Sequence, residues 1–253
     1  MELVHVEQRG PVATVTLDSP ENRNALSSRL LAQLAAALDG ARDDASVRVV
    51  VLTGTGSVFC SGADLAERLH PPAEEPVTLP EVLARLVQLP KPVVVRVNGH
   101  VRAGGFGLVA AGDLAVAPAS ATFALTEVRV GVAPAMVAVP VLRVMDRRAF
   151  TRYALTGETF TAAEAAATGL LSASVGDDEL DRWVGAAVGA LLEGAPRALA
   201  ASKGLADLVG GRPWDEALAR ATGLSAELFA SPEAAEGMAA FLEKRSPRWA
   251  TQP

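Results

Sequence analysis

The first half of the chain alternates between apolar strand patterns and amphipathic helix patterns. Residues 3–18 alternate between apolar and polar positions around Gly10-Pro11, which predicts a β-hairpin. Ser27 is suited to cap a helix that runs to about Ala41, because leucines recur at every fourth position along it. Other apolar runs predict strands at 47–52, 93–97, 114–117 and 122–125, and a short helix at 79–89 that Pro90 ends.

The second half, from about Arg147, has an almost entirely helical pattern. Alanine-rich segments separated by Gly and Pro predict helices at 161–168, 179–193, 196–209, 213–229 and 232–244. We therefore divide the chain into a core, residues 1–195, and a C-terminal helical region, residues 196–253. Residues 67–80 differ from both, because four prolines stand among acidic residues, and we expect a mobile surface segment there.

Composition narrows the class of protein. The chain has 253 residues, of which 50% are apolar, and this is enough for one principal core. Net charge is −6, from 23 basic and 29 acidic residues without a basic cluster, so we expect no nucleic-acid partner. The single cysteine, Cys60, excludes an internal disulfide and fits a reducing compartment.

The sequence also indicates where the protein acts. The chain begins without a secretory signal pattern, and no apolar run reaches the length of a membrane span. The three histidines are too scattered for a recognised zinc spacing. We therefore expect a cytoplasmic protein with no metal and no membrane partner.

Two glycine-centred turns follow buried strands. NGHVRAGGFGL, residues 98–108, follows the strand at 93–97, and a helix is predicted to open at about Gly104. FCSGADL, residues 59–65, follows the strand at 47–52. A helix start presents unpaired N–H groups and the positive end of the helix dipole. If the two turns face each other, the amides of Ala63 and Gly104 converge on one oxygen, as an oxyanion hole requires.

These motifs, in this order, resemble the enoyl-CoA hydratase/isomerase (crotonase) superfamily. The resemblance runs from about residue 4 to residue 248. Besides the two turns, it rests on residues 22–26, the Glu127 segment, and residues 155–157, 162–165, 169–170 and 241–245. It implies an α/β fold, a crotonase-like spiral of repeated β-β-α turns, with C-terminal helices that build a homotrimer, often stacked into a hexamer.

The resemblance also implies a chemistry. The backbone amides of Ala63 and Gly104 would polarise the thioester carbonyl of an acyl-CoA, so that an enolate-like species forms at the alpha carbon. Glu127 matches one of the family's two catalytic glutamates and would carry the proton. Coenzyme A enters as part of the substrate, and no other cofactor is implied.

Further positions match the family's contacts to coenzyme A. Four residues of the first turn would place backbone atoms near the adenine: Ala63, Asp64, Leu65 and Ala66. The Lys244-Arg245 pair would lie near the phosphates, from the same subunit or across a subunit boundary. The alternative interpretation of that pair is an ordinary solvated helix end.

The chain departs from the family at Gly107. In typical hydratases this position holds the second glutamate, which helps to hold and activate water, whereas glycine offers no base. Spacing alone does not assign Asp64, Glu67 or Asp113 to that role. One carboxylate suffices to move a proton between two carbons, so the chemistry favours double-bond migration. The likeness to hydratases instead favours hydration of a 2-enoyl-CoA.

Two other functions stay open. A non-catalytic acyl-CoA-binding or assembly subunit would keep the fold and lose the chemistry with the second glutamate. Residues 105–110 also match the G-x-G-x-x-A dinucleotide fingerprint, with Glu127 twenty residues beyond Gly107. In a true fingerprint the first glycine closes the strand directly, whereas residues 98–104 intervene here.

Several residues near the motifs have two interpretations. Arg102 and Arg129 either meet a charged acyl group or a CoA phosphate, or they are surface cations. Cys60 has no His or Asp pattern to activate it, so we interpret it as a small buried residue rather than a nucleophile. Residues 133–136, Ala-Pro-Ala-Met, replace a glycine-rich turn usual in the family and alter the acyl pocket expected there.

Overall fold

The computed structural model describes residues 1–70 and 77–250. Its strands are β1 (Val4–Arg9), β2 (Val12–Leu17), β3 (Val49–Gly54), β4 (Val58–Cys60), β5 (Val93–Arg96), β6 (His100–Arg102), β7 (Leu114–Pro118), β8 (Thr122–Ala124), β9 (Phe160–Thr161) and β10 (Ala173–Val175). Its α-helices are α1 (Ser28–Asp43), α2 (Leu65–Leu69), α3 (Leu79–Gln88), α4 (Gly105–Ala111), α5 (Ala135–Val144), α6 (Arg147–Thr156), α7 (Ala162–Ala167), α8 (Leu180–Glu193), α9 (Pro196–Lys203), α10 (Leu205–Val209), α11 (Trp214–Phe229) and α12 (Pro232–Glu243).

The core is a spiral of repeated β-β-α passes. Each pass adds one strand to a larger sheet and the next strand to a smaller one, as β3 and β4, β5 and β6, and β7 and β8 do. The larger sheet has the order β1-β2-β3-β5-β7-β10, and all its pairs are parallel except β1 with β2. The smaller sheet has the order β4-β6-β8-β9, and only its last pair is antiparallel. This is the predicted architecture.

The larger sheet is buried on both faces, which explains its unbroken apolar runs. In β3, Val50 and Leu52 face the main core, whereas Val49 and Val51 face a second cluster under α8. α1 covers the main core with the leucine face that the sequence predicts, and Ser27 caps it by accepting the amide of Leu30.

An aromatic cluster fixes α4 against the smaller sheet. Phe106 of α4 lies edge-to-face on Phe123 of β8, with ring centres 6.0 Å apart. Phe160 of β9 contacts both rings and stacks on Tyr153 of α6, with centres 3.7 Å apart. The helix that begins at the second glycine turn is therefore held from its buried side.

The longer predicted elements are confirmed, and the shortest ones are missed. The hairpin, α1, α3 and the strands near 50, 94, 116 and 123 lie where the patterns place them. β4, β6, β9 and β10 were not predicted, because strands of two or three residues leave no period-two pattern to detect. The ten-residue helix α5 was also missed. The helix predicted at 196–209 divides into α9 and α10 at Gly204.

The proline-rich segment overlaps the ends of two helices. Of the predicted mobile segment 67–80, residues 71–76 lie outside the described residues, and the rest includes the end of α2 and the start of α3.

Among the described helices, no single one has both the length and the apolar character to cross a membrane. One pair, Asp177–Glu193 with Pro196–Lys203, reaches these limits only together and is bent by 113°.

Buried cations tie the C-terminal helices to the core. Lys203 at the end of α9 pairs with Asp113 at 2.9 Å and donates to the carbonyl of Leu86 at 2.9 Å. Burial raises the pKa of Asp113 and lowers the pKa of Lys203, while their mutual attraction opposes both shifts. Arg48 donates to the carbonyl of Leu192 in the last turn of α8 and to that of Gly194, which follows the helix.

Asn24 closes the bend that precedes α1. Its side chain is fully buried, accepts the amide of Ser19 at 2.8 Å, and donates to the carbonyls of Thr55 at 3.1 Å and Val58 at 2.8 Å. Its backbone has φ of 53°, a left-handed conformation that asparagine tolerates better than most residues. One side chain therefore joins the bend to the β3–β4 connection.

We predict that Asn24→Ala lowers the free energy of unfolding by about 3 kcal/mol, because three buried backbone groups lose their partner. For a chain of this size, that corresponds to a fall in Tm of roughly 6–12 °C in calorimetry. The matched control is Asn22→Ala, since exposed Asn22 makes one hydrogen bond, to Asp64. A loss no larger than that of the control would show that the bend does not depend on Asn24.

Candidate active site

The two glycine turns lie directly against each other. Gly62 has φ of +94°, and a Cβ on it would lie 2.7 Å from the Cβ of Ala103 and 3.0 Å from the amide nitrogen of Gly104. No side chain fits there, so glycine is required at position 62 both for its conformation and for this approach. The turn that carries Ala63 and the turn that carries Gly104 are thus adjacent, as the sequence predicts.

The second turn is strained just before the helix begins. Ala103 has φ of +45°, which an L-residue rarely adopts, and its amide donates to Ala124 at 3.1 Å. Gly104 returns to helical angles as the cap of α4. Its amide is one of the N–H groups at a helix start that lack a partner within the helix. The α4 dipole therefore adds positive potential near this amide.

The bend at residues 22–26 supports the first turn from behind. Ser61 donates its amide to Arg23 at 3.1 Å, and Leu26 donates its amide to the carbonyl of Gly62 at 2.8 Å. Asp64 caps α2 by accepting the amides of Ala66 and Glu67. The peptide of Ala63 is therefore held on one side by backbone hydrogen bonds and on the other by the side-chain cap of Asp64.

A cavity of about 440 Å³ opens over the two turns, and we call it the site cavity. It is lined mainly by apolar side chains, with Ser61, Arg68, Thr126 and Glu127 as its polar members. Its apolar and backbone lining comprises Leu26, Leu31, Ala63, Leu65, Leu79, Ala103, Gly104, Val130, Val132, Ala133, Pro134, Ala135, Met136 and Val137. Of the predicted site residues, Ala63, Leu65, Gly104 and Glu127 therefore share one cavity.

Glu127 is the carboxylate of this lining. It begins a turn of 3-10 helix, Glu127–Val130, rather than ending a strand, and it is only 9% exposed. Within the described chain its Oε2 has no hydrogen-bond partner. Burial raises the pKa of the Glu127 carboxyl above the usual glutamate range, and a hydrogen bond from its own amide offsets part of the rise. A buried carboxylate with one oxygen free of partners and a raised pKa is suited to accept and return a proton near neutral pH.

The position of the missing glutamate is filled by apolar side chains. A Cβ on Gly107 would lie 3.1 Å from the methyl groups of Leu83 in α3 and 3.2 Å from a methyl of Val137 in α5. Gly107 is buried inside α4 and does not line the site cavity. The space that a side chain at position 107 would occupy is thus narrowed by side chains of two other helices, which would have to shift to admit a Cβ.

The carboxylates considered as substitutes have other partners. Asp64 caps α2 and accepts from Asn22, and Glu67 accepts the amide of Ser28 at 2.7 Å. Asp113 pairs with Lys203 and also accepts the amide of Val93 at 2.7 Å. None of the three lines the site cavity.

The other candidate functional residues near the motifs do not line the site cavity. Arg102 donates to the carbonyl of Thr122 at 2.6 Å and to its hydroxyl at 2.8 Å, which joins β6 to β8. Arg129 is exposed, and like Arg102 it does not line the site cavity. Cys60 is fully buried, and burial raises its thiol pKa to about 12, so the reactive thiolate is disfavoured.

Only some of the residues predicted to contact coenzyme A line the site cavity, namely Ala63 and Leu65. Asp64 lines a neighbouring cavity together with Arg68 and Glu67, and Ala66 is exposed on α2. Lys244 ends α12 with φ of 55° and does not line the site cavity. Its neighbour Arg245 is held by Glu236 at 2.7 Å, and this pairing lowers the pKa of Glu236 to about 2. A role for Lys244 in contacting coenzyme A remains a prediction.

Sequence reasoning missed three polar residues of the site cavity. Ser61 and Thr126 adjoin predicted site residues, so their proximity was the available signal. Arg68 lies on exposed α2, and its sequence context is that of an ordinary surface cation. Its position is set by the α2 cap at Asp64, which turns this short helix over the cavity.

Comparison with known proteins agrees with this geometry. The family model described as enoyl-CoA hydratase/isomerase matches residues 7–252. The 2,3-dehydroadipyl-CoA hydratase of Escherichia coli K12 is 31% identical, with 96% of each chain covered, and the carnitinyl-CoA dehydratase of Salmonella typhi is 32% identical, with 98% of each covered. The solved structure of an enoyl-CoA hydratase from Mycobacterium smegmatis superposes with a TM-score of 0.90 at 34% identity, covering 99% of this chain and all of the other. Motifs, fold and comparisons agree, and the chain belongs to the enoyl-CoA hydratase/isomerase family.

Proposed function

We propose that this protein is an enzyme that moves a proton on an acyl-CoA thioester, with double-bond migration as its favoured reaction. The amides of Ala63 and Gly104 polarise the thioester carbonyl, and Glu127 takes a proton from one carbon and returns it to another. The observation that carries the proposal is the position of Glu127, buried in the cavity that Ala63 and Gly104 line, with its Oε2 lacking a hydrogen-bond partner among the described residues. Coenzyme A enters with the substrate, and the proposal requires no other cofactor.

The oxyanion stabilisation in this proposal is electrostatic. Charge develops on the thioester oxygen as the alpha proton leaves, and fixed N–H donors in an apolar cavity stabilise that charge without reorganising. One such donor is worth about 2.7–4 kcal/mol in characterised enzymes. The Gly62 contact supports this role, because it brings the two turns that carry these amides directly against each other.

Migration is favoured over hydration because glycine stands at the position of the second carboxylate. Hydration is harder with a single carboxylate, because that one group must both orient water and manage the alpha proton. Leu83 and Val137 occupy the space at Gly107, so no such group projects from α4. Hydration is the second candidate, and the observation that favours it is the hydratase and dehydratase names of the relatives. A non-catalytic acyl-CoA-binding subunit is the third.

We predict that Glu127→Gln lowers kcat by about 100- to 10 000-fold and leaves acyl-CoA affinity largely unchanged, because the amide keeps the shape but carries no proton. In the parent, kcat/KM should rise with pH as Glu127 loses its proton, at a pH above the ordinary glutamate range. Deuterium exchange at the alpha carbon, with 3-enoyl-CoA isomerisation alongside it, measures both.

The control is Glu7→Gln, an exposed carboxylate on β1. Retention of most of kcat in Glu127→Gln would remove Glu127 from the mechanism. If the parent binds acyl-CoA but exchanges no proton, the protein is a binding subunit.

A second prediction concerns Gly107. Gly107 has an ordinary helical conformation, so glutamate is compatible with the backbone, but its Cβ needs space that Leu83 occupies. We predict that Gly107→Glu with Leu83→Ala raises hydration relative to migration at least about tenfold, since a general base is typically worth more than this. Incorporation of heavy oxygen from labelled water into 3-hydroxyacyl-CoA gives the ratio.

The controls are Leu83→Ala alone and the Gly107→Gln/Leu83→Ala pair. If the parent already hydrates efficiently and the glutamate variant is slower, the absent carboxylate is no deficit. Water would then be activated by Glu127 or by another group.

We also propose a homotrimer or hexamer built by the C-terminal helices. Large apolar side chains stand exposed on α11 and α12, among them Trp214, Phe229, Phe241 and Leu242, at 70–82% exposure. Such a surface typically marks contact between subunits. An assembly of this kind also leaves open a contact from Lys244 to coenzyme A in a neighbouring subunit.

Light scattering should return three or six times the mass of the chain. The variant Phe241→Asp/Leu242→Asp should dissociate it, whereas Val6→Asp on the hairpin should not. A parent that is monomeric at micromolar concentration would contradict the proposal.

A further inference from the structure

A polar cluster lies on the face of the smaller sheet that points away from the core, and we call it the β6–β8 clamp. Its members are His100 and Arg102 of β6 and Thr122 of β8, and each is partly buried. Strand alternation places them opposite Val101 and Phe123, whose side chains are fully buried in the core. None of the three clamp residues lines the site cavity. The clamp therefore lies outside the proposed reaction site.

Thr122 is the residue on which the clamp converges. Arg102 donates to the carbonyl of Thr122 at 2.6 Å and to its hydroxyl at 2.8 Å, and also to the carbonyl of Val101 at 2.9 Å. His100 Nδ1 accepts the amide of Thr122 at 3.2 Å and lies 3.0 Å from its hydroxyl oxygen. Because that hydroxyl accepts from Arg102, its own proton is left to go to Nδ1. The amide, carbonyl and hydroxyl of Thr122 are thus all bound by two residues of β6.

Arg102 makes these bonds without a carboxylate partner. Among the described residues no acidic side chain pairs with it, and burial lowers the pKa of its guanidinium. Removing a cation from water without an ion pair costs free energy. The planar guanidinium offers several donors in a fixed fork, which a lysine ammonium does not. Three donations to backbone and hydroxyl oxygens offset the cost here, so the side chain serves to hold the two strands together.

The strained turn that carries Gly104 begins directly after Arg102. The ladder between β6 and β8 is only two residue pairs long. Ala103 follows it with φ of +45°, donates its amide to Ala124 at 3.1 Å, and precedes Gly104. A left-handed alanine persists only where its surroundings hold it. The clamp adds side-chain bonds to this short ladder and so fixes the strand end from which the Gly104 amide is presented.

We propose that Arg102, acting through Thr122, is a positioning residue that holds the Gly104 amide in the geometry required to stabilise the enolate. The inference rests on the proposed function, because it requires the thioester carbonyl to lie between Ala63 and Gly104. Negative charge on that oxygen develops in the transition state, whereas the ground-state carbonyl carries less. Loss of the clamp therefore slows proton transfer much more than it weakens acyl-CoA binding.

Arg102→Met tests this, because methionine keeps an apolar stem and supplies no donor. On saturating butyryl-CoA, we expect the rate constant of alpha-proton exchange to fall at least about tenfold, part of the roughly 100- to 1000-fold that loss of an oxyanion donor costs. The Kd for butyryl-CoA should change less than about threefold, since the ground state uses this amide less. Arg102→Lys keeps the charge but not the fork, and we expect the same fall in rate.

Two comparisons separate positioning from general stability. Thr122→Val removes the hydroxyl and should also slow exchange, so the test stands even where Arg102→Met does not fold. The double variant Arg102→Met/Thr122→Val should be no slower than Arg102→Met, because both changes remove one contact. The matched control is Arg96→Met on β5. Arg96 donates to the hydroxyl of Thr53 on the neighbouring strand β3 at 3.4 Å and does not line the site cavity, so its loss should lower Tm without slowing exchange.

The infrared band of butyryl-CoA with a heavy-carbon label at the thioester carbonyl reports on the two amides directly. Hydrogen bonds from Ala63 and Gly104 polarise the carbonyl, so binding to the parent should lower its stretching frequency. Arg102→Met should reverse most of this shift. A defect that is only structural would leave the band of the folded, ligand-bound protein where it is in the parent.

The outcomes separate this inference from the proposed function. If the parent shows neither exchange nor a shifted carbonyl band, the proposed function fails, and the positioning role fails with it. If the parent shows both and Arg102→Met keeps them, the positioning role alone is overturned. Recovery of the rate in Arg102→Lys would assign the effect to charge, and an equal fall in Arg96→Met would assign it to general stability. Either of these results overturns the positioning role.

Discussion

The site depends on one close backbone approach, that of the β4–α2 turn to the start of α4. No Cβ fits at Gly62, because Ala103 and the amide of Gly104 already lie within 3.0 Å of where it would be. This contact fixes the turn that carries Ala63, and the bend at residues 22–26 holds the same turn from behind through hydrogen bonds. The spiral fold brings the two turns together because successive passes place β4 beside β6.

Strain is gathered at the same place. Among the described residues, the non-glycine positions with left-handed φ are Arg23, Asn24, Ala103 and Lys244. The first three lie in the bend or directly before Gly104. Such conformations persist only where the surroundings hold them, and here the buried side chain of Asn24 and the aromatic cluster under α4 do so. The cost of these conformations is met by packing outside the cavity, so its peptides stay fixed.

Elements whose pattern lies within a short stretch of sequence were predicted, whereas elements that depend on distant parts of the chain were not. The hairpin, α1 and the glycine turns are written in short stretches whose period or composition has a direct physical meaning, and Ser27 caps its helix as expected. β9 pairs two residues of a mostly helical half with β8, and nothing local indicates this. Glu127 was located by its likeness to a family motif, whereas its burial and lack of a partner depend on side chains from other elements.

The missing carboxylate at position 107 is harder to interpret from the sequence than a carboxylate present there would be. From the sequence, glycine there means only a lost carboxylate, with the backbone free to accept a replacement. The structure adds that Leu83 and Val137 have closed over the position, so the loss is compensated by packing between three helices. One missing side chain thus has two effects, because it removes a carboxylate from α4 and lets side chains of α3 and α5 pack directly against that helix.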